Sequence, residues 1–141
     1  MKKEKNFYLT LETQQKKFNL FIFFVIKFIF LSTIVQADVL KPNANIDPKQ
    51  VVKIQLSALM NNDSPYKDRG ILQTWEFAHP NNKKFTGPLE KFNKMIKDDS
   101  YSMLINHKEN EVNEVFLSQD VATYEVIILG KDKKYFKFKW Q

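Results

Sequence analysis

Apolar residues change their spacing twice along this chain, and each change marks a boundary. The first pattern is a continuous run, Phe18 to Ile34, reading FNLFIFFVIKFIFLSTI after the basic pair Lys16 and Lys17. From Asp47 to Lys97 apolar residues recur at intervals of three and four, the spacing of one helix face. Beyond Ser100 they alternate, the spacing of a half-buried strand. A run, then helices, then strands predicts a leader followed by an α+β domain, its helices packed on one face of an antiparallel sheet.

The run has the parts of a secretory signal peptide: a basic leader, an apolar core and small residues, Val35 and Ala37, three back and one back from a cut. We expect cleavage between Ala37 and Asp38, which makes residues 1–37 the leader and the mature protein exported, periplasmic or extracellular. The rival reading is an uncleaved membrane anchor. Seventeen residues is near the lower limit for crossing a hydrocarbon core of about 30 Å. Lys27, near the centre of the run, opposes it at about 2.5–3.5 kcal/mol on insertion scales. A mitochondrial or chloroplast transit sequence is disfavoured by Glu4 and Glu12 and by the absence of Arg from the leader.

Residues 38–46 carry no periodic pattern and read as a linker to a single domain over 47–141. Asp47-Pro48-Lys49-Gln50 is a helix start, with Asp47 as N-cap, Pro48 in the first turn and Gln50 placed to close a capping box. Val52, Gln55, Leu56 and Leu59 fall on one face of that helix, which Asn61 to Pro65 ends. Asp68 to Ala78 predicts a second helix, with Ile71, Thr74, Trp75 and Ala78 on one face and His79-Pro80 as its stop. Asn81 to Phe85 reads as a polar loop. Thr86-Gly87-Pro88 then caps a third helix whose stripe is Leu89, Phe92, Met95 and Ile96.

Four strands are expected after the turn at Asp98 to Ser100: Tyr101 to Asn106, Val112 to Leu117, Val121 to Leu129 and Lys134 to Trp140. In the last, Phe136, Phe138 and Trp140 point one way and Tyr135, Lys137 and Lys139 the other. Gly130 to Lys133 joins the final two strands as a hairpin with Gly at its start.

Charge and composition narrow the functions. The net charge is +6, but six lysines and two glutamates lie in the first 37 residues, leaving sixteen basic against fourteen acidic groups. That balance is no footprint for nucleic acid. Cysteine is absent, which excludes disulfides, thiolate nucleophiles and thiolate metal sites. Glycine occurs only at 70, 87 and 130, which leaves no phosphate loop or dinucleotide fingerprint, and there is no G-x-S-x-G or H-E-x-x-H. No cofactor and no metal site is expected.

The candidate chemistry is correspondingly thin. His79 and His107 are the two imidazoles and, with a carboxylate, make the candidate acid–base pair; ordinary loop or strand-end histidines are the plainer reading. Glu109, Glu111 and Glu114 near His107 read as a solvated strand face rather than a ligand set. Trp75 and Tyr124 are candidates to line a cavity, each with one polar tip. The hairpin lysines Lys131, Lys133, Lys134, Lys137 and Lys139, interleaved with aromatics, are a candidate contact for anionic lipid.

The segments VVKIQLSAL from Val51, WEFAHPNNK over Trp75 to Lys83, TGPLEKFNKMIK over Thr86 to Lys97, Tyr101, and LINH over Leu104 to His107 resemble the domain of unknown function 4864 family. The likeness spans nearly all of Asp47 to Trp140. That family is similar to the nuclear transport factor 2-like superfamily, whose fold is a cystatin-like cone of helices closed by a curved antiparallel sheet. The resemblance implies a pocket between helices and sheet, with Trp75, Phe92 and Tyr124 as lining candidates, rather than a particular reaction. It also implies dimerisation through the sheet as one use of the fold. The family more often has a small hydroxyl residue where His79 stands, and its sheet continues to a further strand. The expected function is therefore an exported, non-catalytic domain binding a small apolar ligand or a protein partner. The alternatives are a small proton-transfer enzyme using a His/carboxylate pair and a membrane-associated scaffold.

Overall fold

Asp47 starts the first helix as its sequence requires: its carboxylate accepts from the Gln50 backbone N–H at 2.9 Å, and Pro48 occupies the first turn where no amide partner is needed. The computed structural model describes residues 14–17, 19 and 38–141. The chain divides into two units, Met1–Gln36 and Ala37–Gln141. In the first, residues 14–17 and 19 are helical and exposed. The rest of the leader and the expected cleavage position lie outside the described residues.

The second unit is an α+β domain with four helices, α1 Pro48–Met60, α2 Arg69–Glu76, α3 Pro80–Thr86 and α4 Leu89–Lys97. A short 3-10 turn at Ser102–Leu104 leads to three strands, β1 Glu109–Leu117, β2 Ala122–Leu129 and β3 Tyr135–Trp140. The strands form one antiparallel sheet in the order β1-β2-β3. Among the described residues, no helix is long and apolar enough to cross a membrane.

The core lies between the helices and one face of the sheet. Val52, Leu56 and Leu59 of α1, Ile71 of α2, and Phe92 and Ile96 of α4 meet Tyr124, Val126 and Ile128 of β2, with Leu104 beside them. Burying each aliphatic of that size contributes about 1.5–3 kcal/mol. Directly opposed residues share a sheet face, so Tyr124, Val126 and Ile128 carry Trp140, Phe138 and Phe136 with them onto the core side. The predicted alternation of β3 holds: its burial alternates residue by residue. Lys137 on the outer face pairs with Glu125 at 2.9 Å. A register shift between Glu114 and Phe116 leaves Val115 as a β-bulge opposite the Thr123–Tyr124 step.

Close approach of α1 and α2 depends on Gly70. A Cβ there would sit 2.1 Å from the Ala58 carbonyl oxygen, and the Gly70 N–H donates to Asn62 O at 2.8 Å. Buried Asn62 ties the junction together. Its Oδ1 accepts from Ile71 N at 3.1 Å, its Nδ2 donates to Asp63 at 2.8 Å, and its own N–H donates to Asn106 Oδ1 at 3.0 Å. Asp68, in the left-handed region at φ 62, reaches Lys97 of α4 at 2.6 Å.

Two expectations change. Tyr101–Asn106 is not a strand. Leu104 N donates to Tyr101 O and Asn106 N to Leu59 O, and Asn106 has φ 54, so the segment makes turn bonds instead of a ladder. The polar loop Asn81–Phe85 is instead most of α3, in which no residue is buried; Pro80 begins this helix. Residues 38–46 form no helix or strand, yet Gln73 holds them. Its Oε1 accepts from Leu40 N at 2.7 Å and its Nε2 donates to Leu40 O at 2.9 Å.

Candidate functional site

A groove of about 840 Å³ runs between the helices and the core side of the sheet. That size falls in the range of about 300–1,000 Å³ typical of small-molecule sites. Its floor is the buried end of the core: Val52 and Leu59 of α1, Phe77 after α2, Phe92 and Ile96 of α4, and Leu104. Its rim comes from the loops, with Pro42 and Ile46 ahead of α1, His79 to Thr86 around α3, and Ser118 to Val121 between β1 and β2. Ser118 fixes that last turn, its N–H donating to Val121 O at 2.8 Å while its Oγ accepts from Val121 N at 3.1 Å.

Three polar side chains stand on the buried floor. Gln55 is committed at both ends, its Nε2 donating to Thr74 O at 3.1 Å and its Oε1 accepting from Trp140 Nε1 at 2.8 Å. Thr74 Oγ1 donates to Gly70 O at 2.9 Å. Tyr124 is 2 % exposed and lines the groove, and its hydroxyl makes no hydrogen bond to any described residue. Burial first, then the carboxylates of Glu114 and Asp47, push its phenol above the usual range. It therefore stays a protonated donor at neutral pH.

Two of the three lining candidates, Phe92 and Tyr124, are in the groove wall. Trp75 is not among the lining residues. Its ring packs on Phe92 with centroids 5.1 Å apart, and Lys83 Nζ lies 5.5 Å from its centroid, so it stands behind the wall.

The two histidines are placed apart. His79 is exposed at the rim, where its Nδ1 accepts from Asn81 N at 3.2 Å and caps α3. His107 is 2 % exposed and is not among the lining residues. Its Nδ1 lies 2.7 Å from Leu104 O and its Nε2 2.9 Å from Asn110 Nδ2. A carbonyl only accepts, so Nδ1 carries the proton and Nε2 accepts from Asn110, a neutral imidazole with both nitrogens used. Burial pulls its pKa below the usual histidine value, against the opposing pull of the Leu104 carbonyl.

Glu109 and Glu111 lie opposite Leu129 and Ile127 in the ladder, on the outer face with Lys137, while Glu114 lies opposite Tyr124. Among the described residues no group of three or more His, Asp or Glu is arranged to hold a metal ion.

Sequence reasoning missed several lining residues, Phe77, Phe85 and Val121 among them. Phe77, an expected core aromatic within the second helix's run, is buried just beyond the helix end, ahead of Ala78-His79-Pro80. Phe85 sits in a segment read as polar and is 93 % exposed at the rim. Val121 belongs to the turn rather than the strand. The groove, its apolar floor and one uncommitted phenol define a small α+β domain with a candidate ligand site. No family model, no curated protein and no solved structure matches this chain.

Proposed function

We propose that this chain is an exported, non-catalytic α+β domain that binds a small apolar ligand in the groove between its helices and sheet. The observation that carries this reading is the floor itself: the buried apolar residues Val52, Leu59, Phe77, Phe92, Ile96 and Leu104 line a groove of about 840 Å³ between helices and sheet. Export rests on the Lys16–Ala37 pattern. The cone of the nuclear transport factor 2-like superfamily, and kinship with the domain of unknown function 4864 family, belong to the same reading. They are supported by the order of helices before strands and by the Thr86–Lys97 block.

Binding without turnover is favoured over acid–base catalysis by the positions of the histidines. His79 stands on the rim as a helix cap, and both ring nitrogens of His107 are engaged away from the groove. One observation favours a protein partner as a second reading: Val115, Phe116 and Leu117 at the end of β1 are each more than half exposed.

Native mass spectrometry of the protein purified from its own cells tests both. A start at Asp38 with additional non-protein mass is the expected result. A full-length mass would overturn export, a bare monomer would overturn both binding readings, and a defined complex with a second chain would move the assignment to the partner.

A further inference from the structure

Positive charge gathers beside the mouth of the groove. Along α3 and α4, lysines stand at positions 83, 84, 91, 94 and 97 against a single carboxylate, Glu90. Two of them are engaged within the fold. Lys97 pairs with Asp68 at 2.6 Å, and Lys83 Nζ donates to Glu76 O at 3.1 Å while lying 5.5 Å from the Trp75 centroid. Lys84, Lys91 and Lys94 are exposed and form no ion pair with any described residue.

Lys91 lies at the join of the two helices. Its Cδ comes within 2.9 Å of where a Cβ on Gly87 would stand, so its stem runs back against the C-terminal end of α3. Phe85, two residues before Gly87, is 93 % exposed and lines the groove. A singly exposed aromatic is ordinary on a protein surface. This one follows Lys84 directly, in a helix that buries nothing, at the mouth of an apolar groove. An exposed ring among unpaired lysines is the combination that holds a protein at a lipid interface, where the ring enters the acyl boundary and the cations meet anionic head groups.

The β2–β3 hairpin, the candidate lipid contact from the lysine pattern, lacks that imbalance. Lys134 pairs with Asp132 at 3.6 Å and Lys137 with Glu125 at 2.9 Å. Glu109 and Glu111 of β1 share the outer face of the sheet with Lys137. Four carboxylates therefore offset the five lysines at 131, 133, 134, 137 and 139.

We propose that α3 and the first turns of α4 dock on an anionic lipid bilayer: Phe85 enters the interface, Lys84, Lys91 and Lys94 meet the phosphate head groups, and the mouth of the groove comes to lie against the membrane. The proposal goes beyond the apolar-ligand reading and does not depend on it.

The test is sedimentation of the protein purified from its own cells with vesicles of phosphatidylcholine, alone or mixed with phosphatidylglycerol. Binding should require phosphatidylglycerol and weaken as salt is raised. Lys84→Gln, Lys91→Gln and Lys94→Gln should each weaken it about fivefold, the scale of about 1 kcal/mol for one basic residue at an anionic surface. Phe85→Ser should weaken it about tenfold, the lower end of the gain from burying a Phe side chain, about 1.5 kcal/mol. All four side chains are exposed, so unfolding midpoints should stay at the wild-type value. The hairpin variant Lys131→Gln should bind like the wild type.

Absence of binding to the phosphatidylglycerol vesicles, equal binding to both vesicle types, or binding indifferent to salt overturns the proposal. Loss in Lys131→Gln with Lys84→Gln and Lys91→Gln unaffected also overturns it and returns the contact to the hairpin. Losses in the lysine variants without one in Phe85→Ser overturn the insertion of the ring. Residues 1–37 are common to every variant, so the differences between variants decide the matter whether or not the leader is removed.

Discussion

Trp140 Nε1 donates to Gln55 Oε1 at 2.8 Å, joining β3 to α1 across 85 positions of sequence. Gln55 passes the connection on to α2 through Thr74 O. One amide thus satisfies partners on two other elements beside the groove. Gln55→Leu keeps the volume but leaves the Trp140 N–H and the Thr74 carbonyl without it. Each buried group left unpaired costs about 1–3 kcal/mol. Urea unfolding of Gln55→Leu and of Trp140→Phe should show both destabilised, with Gln55→Leu the worse. Equal or unchanged midpoints would mean the bond is not formed in solution.

Gly70 sets the distance between α1 and α2. Gly70→Ala places a methyl group against the Ala58 carbonyl, where the neighbouring atoms are helix backbone and cannot rotate away. The expected loss is about 3 kcal/mol or more, at the upper end for overpacking. Thermal or denaturant unfolding reads it, and wild-type stability would contradict the packing described.

Stability should fall with acid in two separate windows. His107 has a folded pKa below its unfolded value, so the unfolded chain binds the extra proton. Its contribution is complete above about pH 6.5 and is lost as pH falls below that value, at a slope of at most about 1.4 kcal/mol per unit. Asp63 and Asp68 are also depressed. In Asp63 the cause is chiefly the Asp68 backbone N–H; in Asp68 burial opposes the shift, and the hydrogen bonds from Lys97, Asn93 and Asn62 with the Lys97 charge together outweigh it. Their contribution is present above the ordinary carboxylate range near pH 4 and lost below it. His107→Gln should abolish the first limb and leave the second. Persistence of the limb near pH 6 in that variant would assign it to another group.

Two turn positions should respond in opposite directions. Lys133 adopts φ 62, a left-handed conformation that disfavours any side chain, so Lys133→Gly should stabilise by about 1 kcal/mol. Gly87 has φ 80 and ψ −159, a region essentially restricted to glycine, and Gly87→Ala should destabilise by about 1–3 kcal/mol. Chemical denaturation distinguishes the two signs directly.

How much of this was legible in sequence depends on whether burial wrote a period into the element. The helices α1, α2 and α4 each bury one stripe, and their predicted faces through Leu56, Ile71 and Phe92 lie in the core. The strand β3 buries alternate residues and was equally clear. The helix α3 buries nothing, so PNNKKFT carries no stripe to find, and Pro80 was read as a stop when it is also a good first-turn residue. Tyr101 to Asn106 is short and apolar, a length at which a compact turn and a strand look alike. Gly130 opens the hairpin as expected. Its φ is not positive; a Cβ there would crowd Phe136 at 2.9 Å and Asp132 at 2.8 Å. Of the site, Phe92 and Tyr124 were visible as aromatics on predicted core faces. Trp75 met the same criterion and stands one layer back, because sequence spacing gives a face but not a depth.

The helix α3 bounds the groove and contributes no buried residue. Floor and mouth are therefore under different constraints. Any change at Leu59, Phe92 or Leu104 alters the groove surface and the buried core together, whereas over Pro80–Thr86 no residue is buried. A population of such chains can reshape the groove's mouth by drifting at seven consecutive positions while the interior stays fixed.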